Sequence, residues 1–178
     1  MIATSAELSR VINVDQVKGT NYELDIVASD AECLALAKRF DLIKLEKLTA
    51  HLVFISSPSK KDIQVKASFE GHVVQRCSVT LEPLAGDVKG EFWCDYSEEI
   101  VPENVEIIEF DTDTDDPAEP IVDGTFDVGI MLTEHFGLEL DPFPRSPSAD
   151  FGRIKKEAGD KLDDGESDNP FAVLKKLK

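Results

Sequence analysis

The stretch that decides the fold runs from residue 62 to residue 84 and reads DIQVKASFEGHVVQRCSVTLEPL. Apolar and polar side chains alternate along it, and alternating side chains lie on opposite faces of a β-strand. The pattern predicts one long strand with a single buried face, in which Gly71 marks a turn, a bulge or a sharp bend. The apolar positions are Ile63, Val65, Ala67, Phe69, Val73, Cys77, Val79 and Leu81, and only Gln75 interrupts them.

Cys77 is one of three cysteines in the chain, and its neighbour Arg76 raises the question of a reactive thiol or a metal ligand. On the strand pattern, Cys77 shares its face with Val79 and Leu81, whereas Arg76 points to the opposite face. Apolar surroundings raise the pKa of a thiol and make it inert. We therefore expect Cys77 to be a buried structural residue that is neither modified nor bound to metal.

Shorter patterns on both sides of this strand predict an α+β fold. Residues 29–40, SDAECLALAKRF, indicate a helix that begins with a capping box of Ser29 and Glu32. Alternation over residues 48–54 and 88–96 indicates two further strands, the second of them antiparallel to residues 73–81. Residues 104–110 (NVEIIEF) indicate a short strand and residues 127–138 a helix. We expect a strongly bent antiparallel sheet, open or barrel-like, with one or two packed helices.

The C-terminal part of the sequence predicts three regions. Three prolines in DPFPRSP (residues 141–147) end the last helix, so residues 1–145 form the predicted core domain. Residues 146–168 are polar, charged and poor in apolar side chains, which is typical of a disordered linker. Residues 169–178, NPFAVLKKLK, predict a short C-terminal helix with Asn169 as its N-cap and Pro170 in its first turn.

This C-terminal helix has the features of a recognition element. It is too short to be stable alone, since isolated helices of about 12–15 residues are already marginal. Phe171, Leu174 and Leu177 nevertheless form one apolar line. Spaced apolar side chains of this kind are typical of helices that bind in a groove. We predict that the segment binds a partner; docking on its own domain is the alternative.

The negative charge of the chain is concentrated in one region. The net charge is −17, and residues 90–144 hold 17 acidic residues without a lysine or arginine, while 19 acidic and 19 basic residues balance elsewhere. Binding to phosphates needs clustered Lys and Arg, so a basic protein is the better partner. The simpler alternative is a solvated acidic surface that keeps the protein soluble. The predicted contacts in the acidic loop are Asp111, Asp113, Asp115 and Asp116.

No pattern in the sequence predicts catalysis, a cofactor or a metal site. The three histidines lack metal-ligand spacing, and no two cysteines form CxxC. The acidic loop imitates the start of a calcium loop, but Asp116 and Val122 stand where glycine and a bidentate acid are needed. Signatures of nucleophilic catalysis and of phosphate-binding loops are also missing. We therefore expect a protein that is not an enzyme.

The sequence also indicates a cellular compartment. The N-terminus, MIATSAELSRVINV, has neither the basic nor the apolar region of a secretory signal, and no apolar run is long enough to span a membrane. Three irregularly spaced cysteines favour reduced thiols over a disulfide framework. We expect a cytoplasmic protein.

Three segments together resemble the YceD family, the large ribosomal RNA subunit accumulation proteins. They are VVQRCSVTLEPL (residues 73–84), LELDPFPR (residues 138–145) and the terminal NPFAVLKKLK, and the resemblance spans nearly the whole chain. The chain is most similar to the form found in alphaproteobacteria. The resemblance implies a non-enzymatic role in the accumulation of large-subunit ribosomal RNA or in ribosome assembly. It does not supply a molecular mechanism.

At one position the chain departs from part of that family. Some members have a cysteine three residues before the one that matches Cys77, and a His/Cys pair near PFPRSPSAD (residues 142–150). Val74 stands at the first place here, and no His or Cys follows Phe143, so we expect no zinc. The favoured function is an assembly factor that binds a basic, for example ribosomal, protein. The alternative is direct ribosomal RNA binding through Lys38, Arg39, Lys44 and Lys47.

Overall fold

The computed structural model describes residues 6–19, 22–56, 62–99 and 118–149. The elements are β1 (Val11–Asn13), α1 (Val14–Val17), β2 (Tyr22–Val27), α2 (Asp30–Arg39), β3 (Lys44–Ser56), β4 (Asp62–Arg76), β5 (Pro83–Ser97), β6 (Glu119–Pro120), β7 (Thr125–Asp127) and α3 (Val128–Glu139). Five strands form one sheet in the order β2-β3-β4-β5-β6, antiparallel except for β5 with β6, and β1 pairs with β7 in a separate ribbon. The predicted α+β fold is confirmed.

The sheet is open and not closed into a barrel. Among the described residues, β2 at one edge pairs only with β3, and β6 at the other edge pairs only with the last two residues of β5. A barrel requires hydrogen bonds between the first and the last strand. The barrel-like version of the predicted fold is therefore wrong.

β4 is the central strand and pairs with β5 along its whole length and with β3 over residues 63–74. Its apolar positions from Ile63 to Val73 are buried, as the alternating pattern predicts. The strand ends at Arg76, so the predicted continuation to Leu81 is wrong, and β5 pairs with residues 62–76 instead of residues 73–81. Leu81 has a φ of 63° and is 64% exposed, because the chain reverses direction there to enter β5.

Gly71 does not end the strand, so the turn that was one of the predicted alternatives is wrong. It lies inside β4 and pairs with Leu48 and Val88, and the irregularity of the sheet is in β3, between Leu45 and Lys47. A Cβ atom at Gly71 would lie 2.9 Å from Cε2 of Phe136. The glycine therefore gives an aromatic ring of α3 room to pack against the sheet.

The helices α2 and α3 cover one face of the sheet, α2 against β3 and α3 against β5. The predicted capping box is present at the start of α2, and Asp127 caps α3 by accepting from the N–H of Gly129. The ring of Phe136 contacts Phe40 and Phe69 edge-on, which joins the helices and the sheet in one core. None of the described helices is long and apolar enough to cross a membrane.

Residues 8–10, the N-terminal strap, connect the two helices. The guanidinium of Arg10 donates to both carboxylate oxygens of Glu32 in α2, at 2.6 and 3.1 Å. The backbone N–H of Arg10 donates to Asp127, the N-cap of α3, at 2.7 Å, and Leu8 is completely buried. An ion pair therefore fixes the strap to α2, and backbone contacts fix it to α3.

Several predictions concern residues outside the described part of the chain. These are the strand at residues 104–110, the acidic loop, the linker beyond Ala149 and the C-terminal helix. They remain predictions, as does the division into a core, a linker and a recognition helix.

Candidate partner-binding surface

The residues predicted to bind a partner all lie outside the described part of the chain. The structure therefore neither brings them together nor separates them. It does describe two other features that bear on function, an exposed face of the sheet and the turn that holds Cys77. The undescribed candidates are Asp111, Asp113, Asp115, Asp116, Asn169, Pro170, Phe171, Leu174 and Leu177.

The sheet face opposite the helices carries mostly polar side chains, and we call it the open face. Successive side chains of a strand point to opposite faces, so the buried residues of β2–β5 alternate with those of the open face. Paired positions form rows that cross four strands, from β2 at the edge to β5. The three central rows are Glu23–Val53–Lys66–Trp93, Asp25–His51–Ser68–Glu91 and Val27–Thr49–Glu70–Lys89.

Two shallow depressions lie on the open face. The larger has a volume of about 820 Å³ and spans the second and third rows. The smaller, about 390 Å³, lies beside Trp93 and Lys66. Sites for small molecules are usually enclosed and mostly apolar, whereas these depressions are open and bordered by polar side chains. Their shape suits a segment of a macromolecule better than a small ligand.

The open face is negatively charged. Lys89 Nζ lies 2.9 Å from Glu70 Oε1, and this pair lowers the pKa of Glu70 and raises that of Lys89. The two charges of that pair cancel each other. The remaining charged side chains of the three rows are the carboxylates of Glu23, Asp25 and Glu91 and the single ammonium group of Lys66. His51 stands beside Asp25, with its Nδ1 atom 2.7 Å from Asp25 Oδ1.

Trp93 is the largest apolar side chain on the open face. It is the only tryptophan of the chain and is 70% exposed. Phe92 and Tyr96 of the same strand are buried under α3 and β7, so the position of Trp93 follows from the alternation along β5. Trp93 was not among the residues predicted from the sequence, although its place among the polar positions of residues 88–96 is a signal that could have identified it.

The turn after β4 holds Cys77 in surroundings that differ from those predicted. The side chain is fully buried, as expected, but it lies outside the strand. Its Sγ accepts hydrogen bonds from the backbone N–H groups of Thr80, at 3.5 Å, and Ser146, at 3.4 Å. The side-chain hydroxyl of Thr80 contributes most to lowering the pKa of Cys77 to about 6, followed by these two backbone donors, because all of them stabilise the thiolate. The predicted rise of this pKa is therefore wrong.

The chain segment after α3 is fastened to this turn. Both the backbone N–H and the hydroxyl of Ser78 donate to the carbonyl of Pro144, at 2.8 and 3.1 Å.

Val74 offers no ligand atom, and among the described residues no three His, Cys, Asp or Glu side chains are grouped to hold a metal ion. Structural zinc takes four ligands, so the residues present at this turn do not fit a zinc site.

We expect the substitution Cys77→Ala to lower the melting temperature by about 3 °C near neutral pH. The folded-state pKa of about 6 lies below the ordinary value of 9.0, so the contribution of the thiolate is fully present above pH 9 and is lost as the pH falls through 6. Thermal melts of both proteins at several pH values measure the difference. A difference that stays constant from pH 6 to pH 9 would contradict a stabilised thiolate. Cys94→Ala is the control, because burial raises the pKa of Cys94 to about 12.

Comparison with known protein families gives a match. The sequence model of the family described as large ribosomal RNA subunit accumulation protein YceD matches residues 65–178. The match includes most of β4, the whole of β5 and α3, and both predicted binding segments. No curated protein and no solved structure matches this chain. Because the match covers more than half of the chain, the protein belongs to the YceD family, whose name describes a role in the accumulation of the large-subunit ribosomal RNA.

Proposed function

We propose that this protein is a non-enzymatic factor in large-subunit ribosomal RNA accumulation and that it acts by binding a basic protein. The family name supplies the process and leaves the binding partner open. A ribosomal protein of the large subunit is the partner class that fits both the process and the charge of the chain. In this proposal, ribosomal RNA is affected indirectly, through the protein that is bound.

The observation that carries the proposal is the distribution of charge. Residues 90–144 contain 17 acidic residues and no lysine or arginine. A surface of one sign attracts partners of the opposite sign, raises their association rate and repels phosphate. The open face is also negatively charged. Glu91, at the end of its second row, belongs to the same acidic stretch of residues 90–144. Both features favour a cationic protein over RNA.

Two segments complete the proposed binding machinery. The acidic loop, with Asp111, Asp113, Asp115 and Asp116, supplies electrostatic attraction. The C-terminal segment, with Phe171, Leu174 and Leu177, supplies apolar anchors of the kind that fill a groove on a partner. Asn169 and Pro170 are the predicted N-cap and first-turn residues of this segment. Charge thus steers the encounter, and the anchors hold the complex.

Direct binding to ribosomal RNA is the second candidate. Its support is the cluster of Lys38, Arg39, Lys44 and Lys47 at the end of α2 and the start of β3. Arg39 is already paired with Glu7 at 2.8 Å, and Lys44 with Glu46 at 2.9 Å. Half of the cluster is thus neutralised by neighbouring carboxylates, which weakens its attraction for phosphate.

Capture of partners from cell lysate, with and without ribonuclease, separates the two candidates. We expect a basic protein to remain bound after ribonuclease treatment. Replacing Asp111, Asp113, Asp115 and Asp116 with asparagine should weaken that binding by at least about tenfold, and added salt should weaken it in the wild type, because exposed charges are screened.

A matched control changes the same number of charges elsewhere. Replacing Asp160, Asp163, Asp164 and Asp168 with asparagine, in the predicted linker, gives the same net charge and should change the affinity much less. Equal losses in both variants would show that only the total charge matters, which favours the solubility interpretation. Loss of all partners on ribonuclease treatment would favour direct RNA binding.

A further inference from the structure

We infer that the open face around Trp93 is the docking surface for an extended, arginine- and lysine-rich segment of the basic partner. The inference rests on the proposed function, since it takes a basic protein as the partner. It adds a surface that neither the acidic loop nor the C-terminal segment supplies. Unlike those two segments, this surface lies within the described residues.

The exposure of Trp93 is the first reason. Tryptophan is a large, mostly apolar side chain and is highly buried on average, yet here 70% of it is accessible. Val53 lies in the same row as Trp93. Ile55, two residues after Val53 and on the same face of β3, is 43% exposed. Exposed tryptophans of this kind are enriched among the residues that dominate the affinity of protein interfaces.

The carboxylates around Trp93 are the second reason. Glu91 and Asp95 precede and follow it by two positions on the same strand face, at about 7 Å along the strand. Asp25 lies at the far end of the row that contains Glu91. A guanidinium group stacks favourably on the face of an indole ring, and neighbouring carboxylates accept its N–H groups. The combination is complementary to arginine.

The form of the surface is the third reason. The two depressions together extend across β2, β3, β4 and β5, from Asp25 to Trp93. A sheet with strands about 4.8 Å apart presents such a face to an extended chain as a series of evenly spaced side chains. RNA does not fit this face equally well, because stacking on Trp93 would bring its phosphates beside Glu91 and Asp95.

The single tryptophan makes the surface directly measurable. The probe is a synthetic arginine-rich peptide, and the comparison peptide has glutamate in place of arginine. With the full-length chain, we expect the arginine-rich peptide to protect Trp93 from quenching by acrylamide in a saturable, salt-sensitive manner. The glutamate peptide and a single-stranded RNA oligonucleotide should give no protection. Protection by either of these two would overturn the inference.

Two substitutions test whether the face itself carries the binding. Trp93→Ala should weaken binding of the labelled arginine-rich peptide about tenfold or more, whereas Leu138→Ala should change it less than about twofold. Leu138 is the matched control, because it is 78% exposed but belongs to α3. Glu91→Gln keeps the fluorescent residue and should weaken binding about threefold. Unchanged affinity in Trp93→Ala or Glu91→Gln would overturn the inference.

The outcome of this test is distinguishable from that of the proposed function. If Trp93→Ala still captures the ribonuclease-resistant basic protein as well as the wild type does, the proposed function holds and the docking surface is wrong. If the wild type captures no basic protein, the proposed function itself fails. A further variant of the protein lacks residues 169–178. If quenching of Trp93 then rises without any peptide, the C-terminal segment of the same chain occupies the face, and the inference is overturned.

Discussion

Replacing Gly129 with alanine is expected to lower the free energy of unfolding by about 2 kcal/mol. A Cβ atom at this position would lie 2.8 Å from both the backbone nitrogen of Arg10 and the carbonyl oxygen of Leu8. These are backbone atoms of the N-terminal strap, which cannot move away as a flexible side chain can. Overpacking of this kind costs up to about 3 kcal/mol, and the better helix propensity of alanine offsets about 1 kcal/mol.

Denaturation by urea measures this effect, and Gly86→Ala provides the matched control. A Cβ atom at Gly86 in β5 would have no neighbour within 4 Å, so we expect a change below about 0.5 kcal/mol there. Equal stability of the Gly129→Ala variant and the wild type would show that the strap does not pack on α3 as described.

Replacing Glu32 with glutamine is expected to lower the free energy of unfolding by about 2 kcal/mol at neutral pH. The Glu32 carboxylate accepts from the guanidinium of Arg10 and from the backbone N–H and hydroxyl of Ser29. Arg10 makes the largest contribution, and together these donors lower the pKa of Glu32 to about 2. Glutamine at the same helix position still completes a capping box, so the substitution removes the charge and preserves the cap.

The effect has a defined pH dependence. The folded-state pKa of about 2 lies below the ordinary value of 4.5, so the unfolded chain takes up the proton first as the pH falls. The contribution of the carboxylate is therefore complete above pH 4.5 and is lost as the pH decreases toward 2.

Urea denaturation of wild type and variant at several acidic pH values follows that loss. The difference between the two proteins should shrink over this interval, whereas Glu134→Gln, at an exposed position of α3, should show a small difference throughout. A difference that persists unchanged at the lowest pH would contradict the ion pair with Arg10.

Local patterns predicted several elements correctly because their causes are local. The capping box of Ser29 and Glu32 involves residues three positions apart, and α2 begins where the sequence places it. The alternation from Ile63 to Val73 identifies the buried face of β4, since the period of a strand is a property of its own backbone. The helix at residues 127–138 is observed as Val128–Glu139, one residue from its predicted ends.

The same local reasoning failed where distant residues decide the outcome. The alternation of apolar and polar residues continues along the sequence to Leu81. The strand β4 nevertheless ends at Arg76, where β5 begins to pair with it. Gly71 looks like an interruption of a strand, yet Phe136, far away in the sequence, explains its missing side chain. The sequence alone also did not distinguish an open sheet from a barrel, because closure depends on pairing between the first and last strands.

The sequence alone predicted the types of the three longest strands and the two longest helices, the concentration of negative charge in residues 90–144 and the resemblance to the YceD family, because composition, periodicity and motifs are read along the chain. The state of Cys77 and the exposure of Trp93 became clear from the three-dimensional structure. The hydroxyl and the backbone N–H of Thr80 donate to the thiol of Cys77, and the backbone N–H of Ser146 adds a third donor from 69 positions away in the sequence. Together these donors reverse the expected direction of the pKa shift. Trp93 is exposed because α2 and α3 pack on the opposite face of the sheet. Which face the helices cover depends on the packing of the whole core.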